Sequence, residues 1–73
     1  EKAFEEKELK EILGDIIDAL PDNQKTVISL YYYEELTYKE IGKIMKLSES
    51  RISQIHSKAI LNIRNKLYKV GIY

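Results

Sequence analysis

Seventy-three residues make at most one small domain, whose core hides only about 60% of the unfolded chain's surface, so a large pocket enzyme is excluded. With no cysteine, one histidine (His56) and three glycines, disulfide staples, cysteine–zinc sites and glycine-rich phosphate loops are excluded as well, and no cofactor or metal is expected. The formal charge is zero but polarised: residues 1–22 hold eight acids against three lysines, while residues 48–73 hold Arg51, Lys58, Arg64, Lys66 and Lys69 against Glu49 alone, which suits one end of the molecule to nucleic acid and leaves the other for something else.

Leu9, Ile12, Leu13, Ile16, Ile17 and Leu20 recur at helical spacing and predict an acidic first helix over residues 5–20. Pro21 ends it by its missing donor and by its bias on Leu20, and Pro21-Asp22-Asn23 supplies turn and cap chemistry for a second helix over 23–33. Val27, Ile28, Leu30 and Tyr31 are its expected inward side. Thr37-Tyr38-Lys39-Glu40 has capping-box spacing, so a third helix starts at Tyr38, turns Ile41, Ile44 and Met45 inward and stops near Lys46. Leu47-Ser48-Glu49 reads as a short turn with a serine cap, and a fourth helix runs from Glu49 to about Tyr68, with Gly71 and the terminal tyrosine fraying. Nothing alternates with period two, which gives an all-α, four-helix single domain over 1–73.

Helices three and four are separated by about three residues, which fits a near-perpendicular helix-turn-helix over 38–68 with a long second helix. Counting from Tyr38, the fifth position must be tiny because the helices touch there, and it is Gly42. The fourth, eighth and tenth are expected to be apolar and are Ile41, Met45 and Leu47; the fifteenth and eighteenth, which anchor the second helix, are Ile52 and Ile55. The ninth usually wants glycine for a left-handed backbone but holds Lys46, at a cost of roughly 1 kcal/mol.

Projected at about 100° per residue, Ile52, Ile55, Ala59, Ile60, Ile63 and Leu67 form the buried stripe of helix four. The opposite face carries Ser50, Arg51, Gln54, Ser57, Lys58 and Leu61, with Glu49 and Ser53 at its edges. Small hydroxyl residues permit entry into a major groove, Gln and Arg make bidentate bonds to adenine and guanine edges, and the helix N-terminus favours phosphate. Leu61 has no role in such a contact.

Leu20-Pro21, the run from Leu30 to Thr37, Glu40-Ile41-Gly42 and the run from Ser50 to Ala59 together resemble region four of a bacterial RNA polymerase sigma factor, over about two thirds of the chain. The Tyr-Tyr-Tyr-Glu-Glu-Leu and Ser-Arg-Ile-Ser-Gln-Ile-His-Ser-Lys-Ala runs are similar to the flagellar and motility branch. The resemblance implies sequence-specific binding to the minus-35 promoter element through helix four and docking on the flap of the polymerase β subunit. It places Glu49, Ser50, Arg51, Ser53 and Gln54 at bases and nearby phosphates, Lys58 further along, and Thr37 and Lys39 at the DNA backbone. Housekeeping members generally have arginines where this chain has Ser53 and Glu49, which implies a different promoter preference and weaker phosphate binding here. Ile16, Leu20, Val27, Leu30 and Tyr31 are the implied candidates for the flap site, and an anti-sigma factor covering this region is a second implied partner.

On the residues alone two alternatives stay open: the DNA-binding domain of another, usually dimeric, helix-turn-helix regulator, and a helical protein-interaction module. The tyrosine triplet is expected to be partly core rather than a base-stacking platform, and His56 to pack at a helix edge. Glu34-Glu35 has no nucleophile or base beside it, so no enzyme is expected. No apolar run approaches eighteen residues and no signal-type start is present, giving an expectation of a cytoplasmic protein without membrane contact. Met45 is the sole methionine, so residue 1 is not expected to be a native start and the chain is expected to be part of a longer polypeptide.

Overall fold

The computed structural model describes residues 4–72, which form α1 (Glu6–Asp18), α2 (Asp22–Ile28) continued by a π-helical turn (Ser29–Tyr33), α3 (Tyr38–Met45) and α4 (Glu49–Lys69). The all-α, four-helix reading holds. Every helix start among these residues has a local cause. Glu8 reaches back to accept from the Glu5 N–H at 3.3 Å, Thr37 caps α3, and the Ser48 hydroxyl oxygen accepts from the Arg51 N–H at 3.1 Å.

Several boundaries differ from expectation. The first helix ends at Asp18, and Leu20 lies in the turn beyond it, because the residue before Pro21 is held out of the helical region. Pro21 itself caps α2, whose first residue is therefore Asp22. The second helix does not run uniformly to Tyr33: from Ser29 it widens to π winding, with the Glu34 N–H donating to the Ser29 carbonyl at 3.2 Å, and it ends at Glu35 in the left-handed region (φ 56°). Gly71 does not fray. At φ 86° it closes α4 through bonds from Gly71 N–H to Tyr68 and from Ile72 N–H to Leu67, the paired closure of a Schellman motif. Tyr73 lies outside the described residues.

Two apolar clusters share α4. The first fills the angle of the helix-turn-helix with Val27, Ile41, Ile52 and Ile55, against which Leu30, Tyr31, Leu36, Tyr38 and Met45 pack. The second joins Leu20, Ile28 and Ala59, flanked by Ile17, Ile60 and Ile63. Gln24, a buried polar side chain, is satisfied by Asn62, whose amide donates to it at 2.8 Å and ties α2 to α4. Ile44, expected inward, is 58% exposed, since Ile41 and Met45 fill the core side of this two-turn helix and Ile44 falls about 60° further round. Leu47 is also largely outside. On α1 only Ile16 is buried, and Leu9 and Leu13 project past the core as exposed apolar side chains.

The turn between α3 and α4 is built to the atom. Lys46 takes the left-handed conformation (φ 59°, ψ 45°), and the Leu47 N–H donates to the Gly42 carbonyl at 2.9 Å. A Cβ on Gly42 would lie 2.5 Å from the Leu47 carbonyl oxygen, so the requirement for a tiny residue at this position comes from the backbone of the turn folding back on α3 rather than from contact between the two helices.

Candidate nucleic-acid interface

Ile52, Ile55 and Ala59 hold one side of α4 in the core and so fix which side faces solvent. Glu49, Ser50, Arg51, Gln54, Ser57 and Lys58 are all exposed on the other side. Arg51 Nη1 makes a loose 3.5 Å approach to Gln54 Oε1, so the two side chains best suited to base edges stand together one turn apart and remain free to exchange that contact for a base. Because the Ser48 cap uses the Arg51 N–H, the first turn of α4 is closed on the protein side while the neighbouring amides stay at its tip.

Ser53 stands apart from these. It is half-buried, and its side chain lies against the Tyr38 phenol, which makes it an edge residue of the face. Thr37 and Lys39 flank Tyr38 at the start of α3 and both are exposed. The Thr37 hydroxyl oxygen accepts from the Glu40 N–H at 3.1 Å, and the Glu40 carboxylate accepts from the Thr37 N–H at 2.9 Å. The Thr37 backbone N–H and then its hydroxyl hold the Glu40 carboxyl below its ordinary value.

Behind this face lies a cluster that sequence spacing did not show. His56, half-buried on α4, has both ring nitrogens occupied: Nδ1 by the Tyr38 hydroxyl and Nε2 by the Tyr32 hydroxyl, the latter at 2.8 Å. Tyr31 completes the group, its ring centroid 4.7 Å from the imidazole and 4.9 Å from Tyr32. Burial lowers the His56 pKa from its ordinary value, so the ring is neutral at neutral pH, and either tautomer satisfies both phenols because each can donate or accept. Burial, and then the Tyr31 and Tyr32 phenols, raise the Tyr38 pKa, with Ser53 opposing. The partners are 24 and 18 residues from His56 in the chain, which is why helical periodicity could not group them.

The residues read as a partner site divide by burial. Val27, Ile16 and Leu20 are interior, with Val27 fully enclosed, while Leu30 and Tyr31 are half-buried. The accessible apolar surface is next to them, an open groove of about 300 Å³ between α1, α2 and α4 lined by Leu13, Ile17, Tyr32, Tyr33 and Ile63, with Ile28 at its floor. Leu13 and Ile17 belong to the stripe expected of α1, which runs past the core to line this groove. The charge polarity survives folding: Glu6, Glu8, Glu11, Asp15 and Asp18 of α1 are exposed, as are Arg51, Lys58, Arg64, Lys66 and Lys69 of α4. Among the described residues no helix is long and apolar enough to cross a membrane.

Residues 16–65 match the family model for sigma-70, region 4. The chain is 46% identical over 65 residues to the RNA polymerase sigma factor FliA of Salmonella typhimurium and 47% identical over 62 residues to that of Escherichia coli, covering 89% and 85% of this chain respectively. It is 47% identical over 70 residues, 96% of its length, to the RNA polymerase sigma-D factor of Bacillus subtilis. It spans only about a quarter of the length of these relatives, 26–28%. The family match runs from the one buried residue of α1 through the helix-turn-helix to the penultimate turn of α4, and the chain belongs to the sigma-70 region 4 family.

Proposed function

We propose that this domain binds promoter DNA sequence-specifically, reading a minus-35 element with α4, as the promoter-recognition part of a motility-type sigma factor that directs RNA polymerase in initiation. The observation that carries the reading is the pairing of Arg51 with Gln54 on the exposed first turns of a helix fixed behind a helix-turn-helix angle. Arg51 and Gln54 read base edges. Ser50 and Ser53 permit close approach, Lys58, Lys39 and Thr37 meet phosphates, and Glu49 accepts from a base donor or repels the wrong one. The relatives named as RNA polymerase sigma factors support the same role.

The apolar groove is the proposed seat of the polymerase β-subunit flap, with Leu30 and Tyr31 at its back and Ile16, Leu20 and Val27 supporting it from within. A motility-type anti-sigma factor is the proposed competitor for this half of the domain. The acidic face of α1 repels DNA and so orients this half toward protein. The domain works by binding, without catalysis of its own and in the cytoplasm, where the polymerase acts.

The test is fluorescence anisotropy of a labelled duplex carrying a motility-type minus-35 element against a scrambled duplex, across a salt series. Arg51→Ala is expected to cost about 1–3 kcal/mol on the promoter duplex and to erase the preference. Lys58→Ala is expected to weaken both duplexes alike and to flatten the salt dependence by about 0.9 log unit per log unit of salt. Equal binding of both duplexes by the folded wild-type chain would defeat the proposal.

A further inference from the structure

We propose that His56 is a positioning residue for DNA reading: by bridging the Tyr38 hydroxyl at the start of α3 and the Tyr32 hydroxyl in the π turn, it sets the roll of α4 and therefore the direction in which Arg51 and Gln54 point. The inference rests on the promoter-binding reading above. Two kinds of contact hold α4. Ile52, Ile55 and Ala59 anchor the helix by apolar packing, which fixes the side that faces the core but sets the finer roll about the helix axis less sharply than a directional bond does. Directional restraint comes from hydrogen bonds. Among the described residues, α4 makes side-chain hydrogen bonds to the rest of the chain at His56 and Asn62, and its Ser53 side chain meets the same Tyr38 phenol that His56 holds. Asn62 sits toward the far half of the helix, on Gln24. His56, one turn beyond Ser53 and adjacent to Ser57, is the residue of the DNA-facing half that joins α4 to both Tyr38 and Tyr32.

The π turn belongs to the same device. Widening the last turn of the second helix by one residue shifts the direction of the side chains that follow, and here it delivers the Tyr32 hydroxyl to Nε2 while Tyr31 packs on the imidazole face. Three segments that are remote in sequence thus meet at one ring. A merely space-filling residue at position 56 would need none of these hydroxyls.

The experiment measures the ratio of dissociation constants for promoter and scrambled duplexes, together with the thermal midpoint by circular dichroism. His56→Leu keeps volume but loses both bonds, and is expected to lower the promoter preference about fivefold to tenfold while binding to the scrambled duplex stays level, because phosphate contacts do not depend on the roll. The double variant Tyr32→Phe with Tyr38→Phe, which removes only two oxygens, is expected to lower the preference as His56→Leu does, and His56→Gln, which keeps an amide near Nε2, to recover part of it. If His56→Leu fails to fold, the phenylalanine pair decides between the two roles. An unchanged preference in either folded variant, with Arg51→Ala still abolishing it, overturns the positioning role and leaves the promoter reading standing. A wild-type chain with no preference overturns both.

Discussion

From Thr37 to His56 the backbone is held by closely fitted groups: a reciprocal capping box, a serine cap, a glycine pressed on a carbonyl oxygen, and an imidazole between two phenols. From Glu5 to Leu20 the restraints are sparser: a capping box at the helix start, two buried side chains, Ile16 and Leu20, and a stripe that runs past the core into solvent. Reading bases requires atoms fixed to a few tenths of an ångström, whereas receiving an apolar partner requires accessible surface. The two halves differ in the way their proposed roles require.

The sharpest way to break this contrast is Gly42→Ala. One methyl group set 2.5 Å from the Leu47 oxygen forces the helix-turn-helix open, and a loss of about 2–3 kcal/mol is expected in urea unfolding monitored by circular dichroism. A loss below about 0.5 kcal/mol would show that the angle between α3 and α4 is soft. Ser48→Ala removes the oxygen that accepts from Arg51 N–H, and about 1 kcal/mol is expected to go with it. Leu13→Lys addresses the other half: its side chain is already 39% exposed, so stability is expected to move by less than about 0.5 kcal/mol while affinity for a β-flap fragment drops in a pull-down or anisotropy titration. If Leu13→Lys instead unfolds the domain as Gly42→Ala does, the stripe is core and the groove is not a docking surface.

How much of this was legible in the sequence follows the range of the interaction. The cap of α3, the serine cap of α4, the contact at Gly42 and the left-handed Lys46 each depend on residues within a few positions of one another, and each was readable. The inner stripe of α4 was readable too, because periodicity over 21 residues averages out exceptions. The π turn was not, since Ser29-Leu30-Tyr31-Tyr32-Tyr33 fits an ordinary helix equally well and its Tyr32 meets a histidine 24 residues away. Ile44 misled because a two-turn helix has too few positions to define its own inner face. Of the site, the exposed cations and amide on α4 followed from the stripe opposite them, while the groove required knowing which apolar residues the core would leave uncovered.

Ala59 is the midpoint of α4, and it has no exposed surface. A straight rod of 21 residues is about 30 Å long, so a tilt with Ala59 as its fulcrum would move both ends, one carrying Arg51 and Gln54 and the other lying beyond Ile63 of the groove. A tilt of about 10° at the fulcrum swings the tip by roughly 3 Å, the whole length of a hydrogen bond. Ile52 and Ile55, buried on the half that carries Arg51, oppose that swing, so the aim of the exposed face depends on side chains it does not itself contain.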